Sequence, residues 1–171
     1  MKKLIAILMV AAMMLSIVAC APTDTETPST PVTGGEPVQD SYSFVYNGVT
    51  ISLNAPAESI IAALGSDYTY SESTSCAFDG LDKSYGYGSF YLETYPLNGK
   101  DYVYGWYFVD DLVANAEGIS IGSSLADVQA AYSADGYNGT NAYQIKKGSG
   151  MLTIILDNEI VTSVQYAIIT E

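Results

Sequence analysis

The chain has no histidine, and because all six of its cationic residues are lysines it has no arginine either. The first absence removes the Ser-His-Asp and Cys-His catalytic sets and every imidazole-ligated metal site. The second removes the planar fork that clamps phosphate bidentately and reads guanine in the major groove. Positive charge of any kind is scarce: 19 acids against 6 lysines leave a net charge of −13 over 171 residues. Such a surface repels a phosphate backbone, so nucleic acid is excluded as a partner. Cysteine is nearly missing as well, with Cys20 and Cys76 alone. No nucleophile-and-base arrangement stands out, and the chain reads as a non-enzyme with no cofactor.

What is present begins with a targeting segment. Lys2 and Lys3 lead an apolar run from Leu4 to Ala19, too short and too one-sidedly flanked to be a stable spanning helix, so residues 1–19 read as a signal peptide that is removed. The run ends Ile17-Val18-Ala19-Cys20. These four residues resemble the lipobox of bacterial lipoproteins, which implies that Cys20 receives a diacylglyceryl thioether and becomes the new N-terminus. Ala21 follows, so the acidic retention signal that Gram-negative inner-membrane lipoproteins carry there is absent. Residues 20–40 are then a lipidated Cys and a Thr/Pro linker with no apolar period. Its four Pro hold it partly extended, giving a reach of at most about 60 Å.

The expected globular domain is 41–171, one domain's worth of chain with fifteen acids against four lysines. Cys76 has no partner within it, which precludes an internal disulfide, and between Ser75 and Ala77 it reads as a small buried hydrophobe. An internal repeat organises the rest. The segment from Ile51 to Gly65 lies over the segment from Ile119 to Ser133 at an offset of 68, each reading as a short strand, a turn and a helix. In the second, Leu125, Val128, Ala131 and Tyr132 make a helical face, with Ser123 or Ser124 as N-cap. In the first, Pro56 opens the helix, Ile60, Ala63 and Leu64 make the buried stripe and Gly65 stops it.

Hairpins are expected after each helix: Phe90–Tyr95 with Tyr102–Val109 around Pro96 to Lys100, and Leu152–Leu156 with Glu159–Ile168 around Asp157-Asn158. Alternation assigns their faces. Phe90, Leu92, Trp106, Phe108, Leu152, Ile154, Val164 and Tyr166 point toward the helices; Val161, Ser163 and Gln165 point away. The expectation is an α+β fold of two tandem strand-helix-antiparallel sheet repeats, about 41–110 and 111–171, with the helices on one side of the sheet.

Gly122-Ser123-Ser124-Leu125-Ala126-Asp127-Val128 at a strand-to-helix junction, followed by antiparallel strands and repeated in tandem, resembles the β-lactamase-inhibitor-protein-like fold, also seen in small lipoproteins of outer-membrane assembly. The stretch from Ser75-Cys76-Ala77-Phe78 through Gly99-Lys100-Asp101-Tyr102 to Glu117-Gly118-Ile119 is similar to uncharacterised lipoproteins of Gram-positive gut bacteria. That similarity implies a place on the outer face of the cytoplasmic membrane. The first copy departs from the pattern, with Asn54 at the place of Gly122 and Ser59 at that of Asp127.

Two sets of side chains invite a functional reading. Asp79, Asp82, Asp101, Asp110 and Asp111 fall near strand ends or turns, and calcium would need six to eight oxygens from them; no Asp-x-Asp-x-Asp-Gly loop is present, and solvated turns explain them equally, so no metal is assigned. Tyrosine is the compositional anomaly, 15 residues against 4 Phe and 1 Trp. Read as one continuous strand, 85–95 places Tyr85, Tyr87, Tyr91 and Tyr95 opposite Phe90 and Leu92. With Tyr107 they would form a solvent-facing aromatic strip amid acidic charge, suited to a protein or a cell-wall glycan. The expected function is a lipid-anchored binding module, inhibitor or adaptor; the alternative is an envelope-assembly lipoprotein that scaffolds a membrane complex.

Overall fold

In the computed structural model, residues 41–133 and 136–170 are described; the expected signal peptide 1–19, the lipidation site Cys20 and the linker through residue 40 lie outside them. Asn47 and Gly48 both take positive φ, 49° and 80°, the two-residue turn whose twist matches antiparallel strands. They join β1 (Ser43–Tyr46) to β2 (Val49–Ser52) in a sheet of their own. The helix α1 (Ala57–Leu64) follows, closed by Gly65 at φ 89°, whose N–H donates to Ile61 O at 3.1 Å. Pro56 sits at its N-cap, where a missing N–H costs nothing. Ala57 and Ile60 are buried and Ile61 and Leu64 pack on the core half-buried, whereas Ala63, expected in the stripe, is exposed.

Four strands come next, β3 (Thr69–Thr74), β4 (Leu81–Gly86), β5 (Phe90–Leu97) and β6 (Lys100–Phe108), then α2 (Leu125–Tyr132), then β7 (Ala142–Lys147), β8 (Gly150–Asp157) and β9 (Ile160–Ile168). β3 to β9 form one antiparallel sheet in the order β3-β4-β5-β6-β9-β8-β7. Among the described residues no helix is long and apolar enough to cross a membrane.

The expected α+β fold of two like repeats is therefore corrected. The described residues are mostly β, with 49% strand and 12% helix, and the parts are unequal. Four strands of the sheet precede α2 and three follow it, and among the described residues the β1–β2 hairpin has no counterpart. The strand expected at 119–121 is not formed; Gly122 N–H and Ser123 O bond instead to Val161 across an irregular segment (both 2.8 Å). The offset of 68 marks something smaller, the spacing between two eight-residue helices. Sequence similarity of fifteen residues specifies a local turn into a helix, and long-range pairing decides the rest.

The core lies between the sheet and the elements laid on one of its faces. Phe90, Leu92, Trp106, Leu152, Ile154 and Val164 are fully buried there, as alternation predicts. The Phe44 ring of β1 packs on Phe90 and Phe108, each at 5.2 Å, and Trp106 stacks on Tyr166 at 5.0 Å. Ser124 caps α2: its Oγ accepts from Asp127 N–H (3.2 Å), while Asp127 Oδ2 accepts from Ser124 N–H (2.9 Å). Asn115 ties the connection before α2 to the core, donating to the hydroxyls of Tyr132 (2.7 Å) and Tyr166 (2.9 Å) and accepting from Ile119 N–H (2.8 Å).

Where β6 meets β9, Gly105 faces Ala167 across the pairing. A Cβ on Gly105 would stand 2.1 Å from Tyr166 O, so only glycine permits the approach. Val161, assigned to the outer face, is buried because the register shifts between Ile155 and Leu156, which leaves Thr162 unpaired and reverses parity beyond it.

Candidate functional site

The face of the sheet away from the helices carries no covering element among the described residues, and its central side chains are half-buried. Across β4, β5, β6 and β9 one row reads Gly86, Tyr91, Tyr107, Gln165. Tyr91 and Tyr107 are cross-strand partners with nearly parallel rings, centroids 5.1 Å apart and planes 8° from each other. A Cβ on Gly86 would touch the Tyr91 ring at 2.7 Å; the missing side chain lets the ring lie down over the strand. Partial burial, with Glu93 and Tyr91 nearby, raises the Tyr107 pKa above the ordinary tyrosine value.

The expected five-tyrosine strip is only this pair. Tyr85, Tyr87 and Tyr95 are buried, at 8%, 8% and 6% exposure. Residues 85–95 are not one strand: Tyr87 N–H donates to Phe90 O (2.9 Å) around Gly88 at φ 82°, a tight turn between β4 and β5. Tyr85 consequently pairs with Leu92 on the core face, and Tyr87 stacks on Phe90 at 5.4 Å, its pKa pushed up to about 12 by burial. Tyr95 keeps the face of Tyr91 and Glu93, because the extra residue at the register shift is Tyr104 of β6 and the β4–β5 pairing runs on unbroken, and it is buried there by its neighbours. Its ring meets Phe78 at 4.4 Å and its hydroxyl donates to Asn54 Oδ1 at 3.0 Å.

Beside the tyrosine pair the next row reads Ser84, Glu93, Gly105, Ala167. Three small residues leave a hollow around the one long side chain, and the hollow opens into a cleft of about 360 Å³ lined by β3, β4, β5 and the loop bearing Cys76, Ala77 and Phe78. Cys76 is an exposed free thiol there rather than a buried hydrophobe. The loop is fastened by Ser75 Oγ, which accepts from Ala77 and Phe78 N–H at 3.3 and 3.1 Å. Burial and the nearby Asp82 carboxylate push the Glu93 pKa above the usual carboxylate value.

The five aspartates weighed for calcium do not converge. Asp101 binds Lys83 Nζ at 2.7 Å, Asp110 Oδ1 accepts from Leu112 N–H at 3.0 Å, and Asp79 and Asp111 are exposed on turns. Among the described residues no three His, Cys, Asp or Glu side chains gather into a cation-sized cluster. Asp82 alone of the five lies in the cleft. Glu93 was not singled out from sequence. The available signal was an acid in the middle of Phe90-Tyr91-Leu92-Glu93-Thr94-Tyr95, where strands disfavour one. Compared with known proteins, the chain matches no protein-family model, no curated protein and no solved structure.

Proposed function

We propose that the chain is a non-enzymatic binding module, lipid-anchored through Cys20 on the outer face of a bacterial cytoplasmic membrane, that presents the open face of its sheet to a protein or a cell-wall glycan. The observation that carries this reading is the Tyr91–Tyr107 pair, two parallel rings on an uncovered sheet face. Rings so placed offer apolar area at small entropic cost and hydroxyls that remain wet. The Lys-led apolar segment ending in Cys20 supports the anchor.

The test has two parts. Cys20→Ala is expected to release the chain into the medium or leave an unprocessed precursor; unchanged mass with full membrane retention sinks the anchor. For the face, the wild type and a Tyr91→Ala/Tyr107→Ala variant are compared for co-sedimentation with cell-wall sacculi and for capture of partners from detergent-solubilised membranes. Loss of capture in the folded variant supports the reading, and identical capture refutes it. A basic protein partner binds more slowly as salt rises, whereas a stacked glycan is nearly indifferent.

A further inference from the structure

The two edges of the seven-stranded sheet are finished differently. At one edge β7 is covered over its first half: Gln144 N–H donates to Gly136 O and Asn138 N–H to Ala142 O, each at 2.9 Å, and Lys146 and Lys147 end the strand. Such a cover, together with edge lysines, is how sheets avoid pairing with a second chain. At the other edge β3, Thr-Tyr-Ser-Glu-Ser-Thr, is exposed at every residue. It has no proline, no lysine and no bulge in its ladder with β4. Among the described residues, no backbone group of 69–74 bonds to anything besides β4.

The ladder tells which groups stand free. Ser75 N–H donates to Gly80 O at 3.0 Å, so by antiparallel alternation Ser73, Ser71 and Thr69 also direct their N–H and C=O toward β4. Tyr70, Glu72 and Thr74 direct theirs outward, a row of donors and acceptors that another strand satisfies along its length. When two copies of β3 pair about a two-fold axis, facing residues share one face of the sheet, so one residue must stand opposite itself. Centring the pair on Glu72 sets two carboxylates against each other, which is unfavourable. Centring it on Tyr70 runs Glu72, Ser73 and Thr74 past the start of the other strand. Centring it on Ser71 sets Ser71 against Ser71, Thr69 against Ser73 and Tyr70 against Glu72. The Tyr70 hydroxyl already donates to Glu72 within one chain, and Lys83 stands opposite Glu72 on β4. In that register each Glu72 therefore meets a hydroxyl and a cation rather than a like charge.

We propose that the chain forms a two-fold dimer by antiparallel pairing of β3 with β3 of a second copy, in the register that puts Ser71 opposite Ser71. Tyr70 of each copy and Glu72 of the other exchange N–H···O bonds in both directions, and the sheets of the two copies run into one another. Because β7 is closed by its loop and lysines, the association stops at two copies instead of growing into a fibre. The dimer uses neither the tyrosine face nor Cys20, so it goes beyond the reading of the chain as a binding module.

The test is a disulfide cross-link in intact cells that express the full chain. Facing residues of an antiparallel pair that exchange no hydrogen bonds have Cα atoms about 4.5 Å apart, within reach of a disulfide. Ser71 would occupy that position opposite itself, whereas Ser73 would stand opposite Thr69. Ser71→Cys and Ser73→Cys are each made in a Cys76→Ser background, and Cys76→Ser alone sets the level due to any other thiol. After mild oxidation Ser71→Cys is expected to give a species of twice the chain mass on a non-reducing gel, about tenfold above both Ser73→Cys and the background. Adding Glu72→Pro, which removes an outward N–H and no bond to β4, should cut that yield about tenfold; Tyr70→Pro serves if the first proline variant does not fold. Equal yields from Ser71→Cys and Ser73→Cys, a yield undiminished by proline, a cross-linked species of another mass, or no cross-link overturn the proposal. Tyr91→Ala/Tyr107→Ala should leave the cross-link unchanged, so the dimer and the tyrosine face stand or fall separately.

Discussion

The two faces of the seven-stranded sheet are built from the same strands and differ in almost everything else. On the covered face Phe90, Leu92, Trp106, Leu152, Ile154 and Val164 are all withdrawn from water and packed against the β1–β2 hairpin and both helices. On the open face Tyr91, Glu93, Tyr107, Gln165 and Thr153 are half-buried, with no helix or strand above them among the described residues. Burial of apolar area on the first face supplies the stability. The second is therefore free to keep groups that contribute little to folding or oppose it. The carboxylates of Asp82 and Glu93 are such groups, and local disagreement with folding rules concentrates at functional sites.

The contrast can be broken by substitution. Trp106→Ala, on the covered face, is expected to cost about 3–5 kcal/mol, read as the loss of most or all of the urea unfolding transition. Gly105→Ala, at the strand junction, should cost about 1–3 kcal/mol because a Cβ there meets backbone and cannot be accommodated by rotating a side chain. The open face should respond weakly. Tyr91→Ala/Tyr107→Ala is expected to lower stability by about 1 kcal/mol, the scale of one aromatic pair, while removing capture of the ligand. A large loss of stability would merge the two faces into one core.

The smallest effect should have the opposite sign. Burial raises the Glu93 pKa above its ordinary 4.5, so the folded state holds its proton more tightly than the unfolded chain. Wild-type stability accordingly falls as pH rises from about 4.5 through the folded value, then levels off. Glu93→Gln should be more stable than wild type at pH 7, by about 0.5 kcal/mol, with the difference vanishing below pH 4.5. Paired urea melts at pH 4 and pH 7 check both the sign and the window; a destabilised variant at pH 7 would mean that Glu93 is held by a favourable partner.

The sequence made some of this legible and hid the rest for identifiable reasons. Asn98-Gly99 between alternating runs specified the β5–β6 hairpin, and period-two alternation correctly buried Trp106 and Leu152. Asn47-Gly48 carries the same signal for the β1–β2 hairpin. Alternation failed wherever the strand was not continuous. Tyr85 changed face because Gly88 turns the chain, and Val161 is buried where one extra residue enters a ladder, whereas Tyr95 keeps its face and is buried against Phe78. Periodicity carries no information about bulges or about which strands become neighbours, and the cleft is made of both. Its members come from separate strands and a loop, so Glu93 reads as an ordinary strand residue until the chain is folded.

The junction at Gly105 also bears on how the protein opens. β6 and β9 are paired over three residue couples, against eight within each flanking hairpin. Hydrogen bonding alone would let β3–β6 and β7–β9 part as two sub-global units. The Trp106–Tyr166 stack lies across that narrow contact, and Asn115 holds the connection that follows β6 to Tyr132 and Tyr166. Cooperativity of the whole sheet is thereby vested in aromatic packing more than in its backbone ladder. In hydrogen exchange, Trp106 and Tyr107 amides would then follow the integrity of the tryptophan stack, while the amides in the middle of β5 and β8 remain protected by their own hairpins.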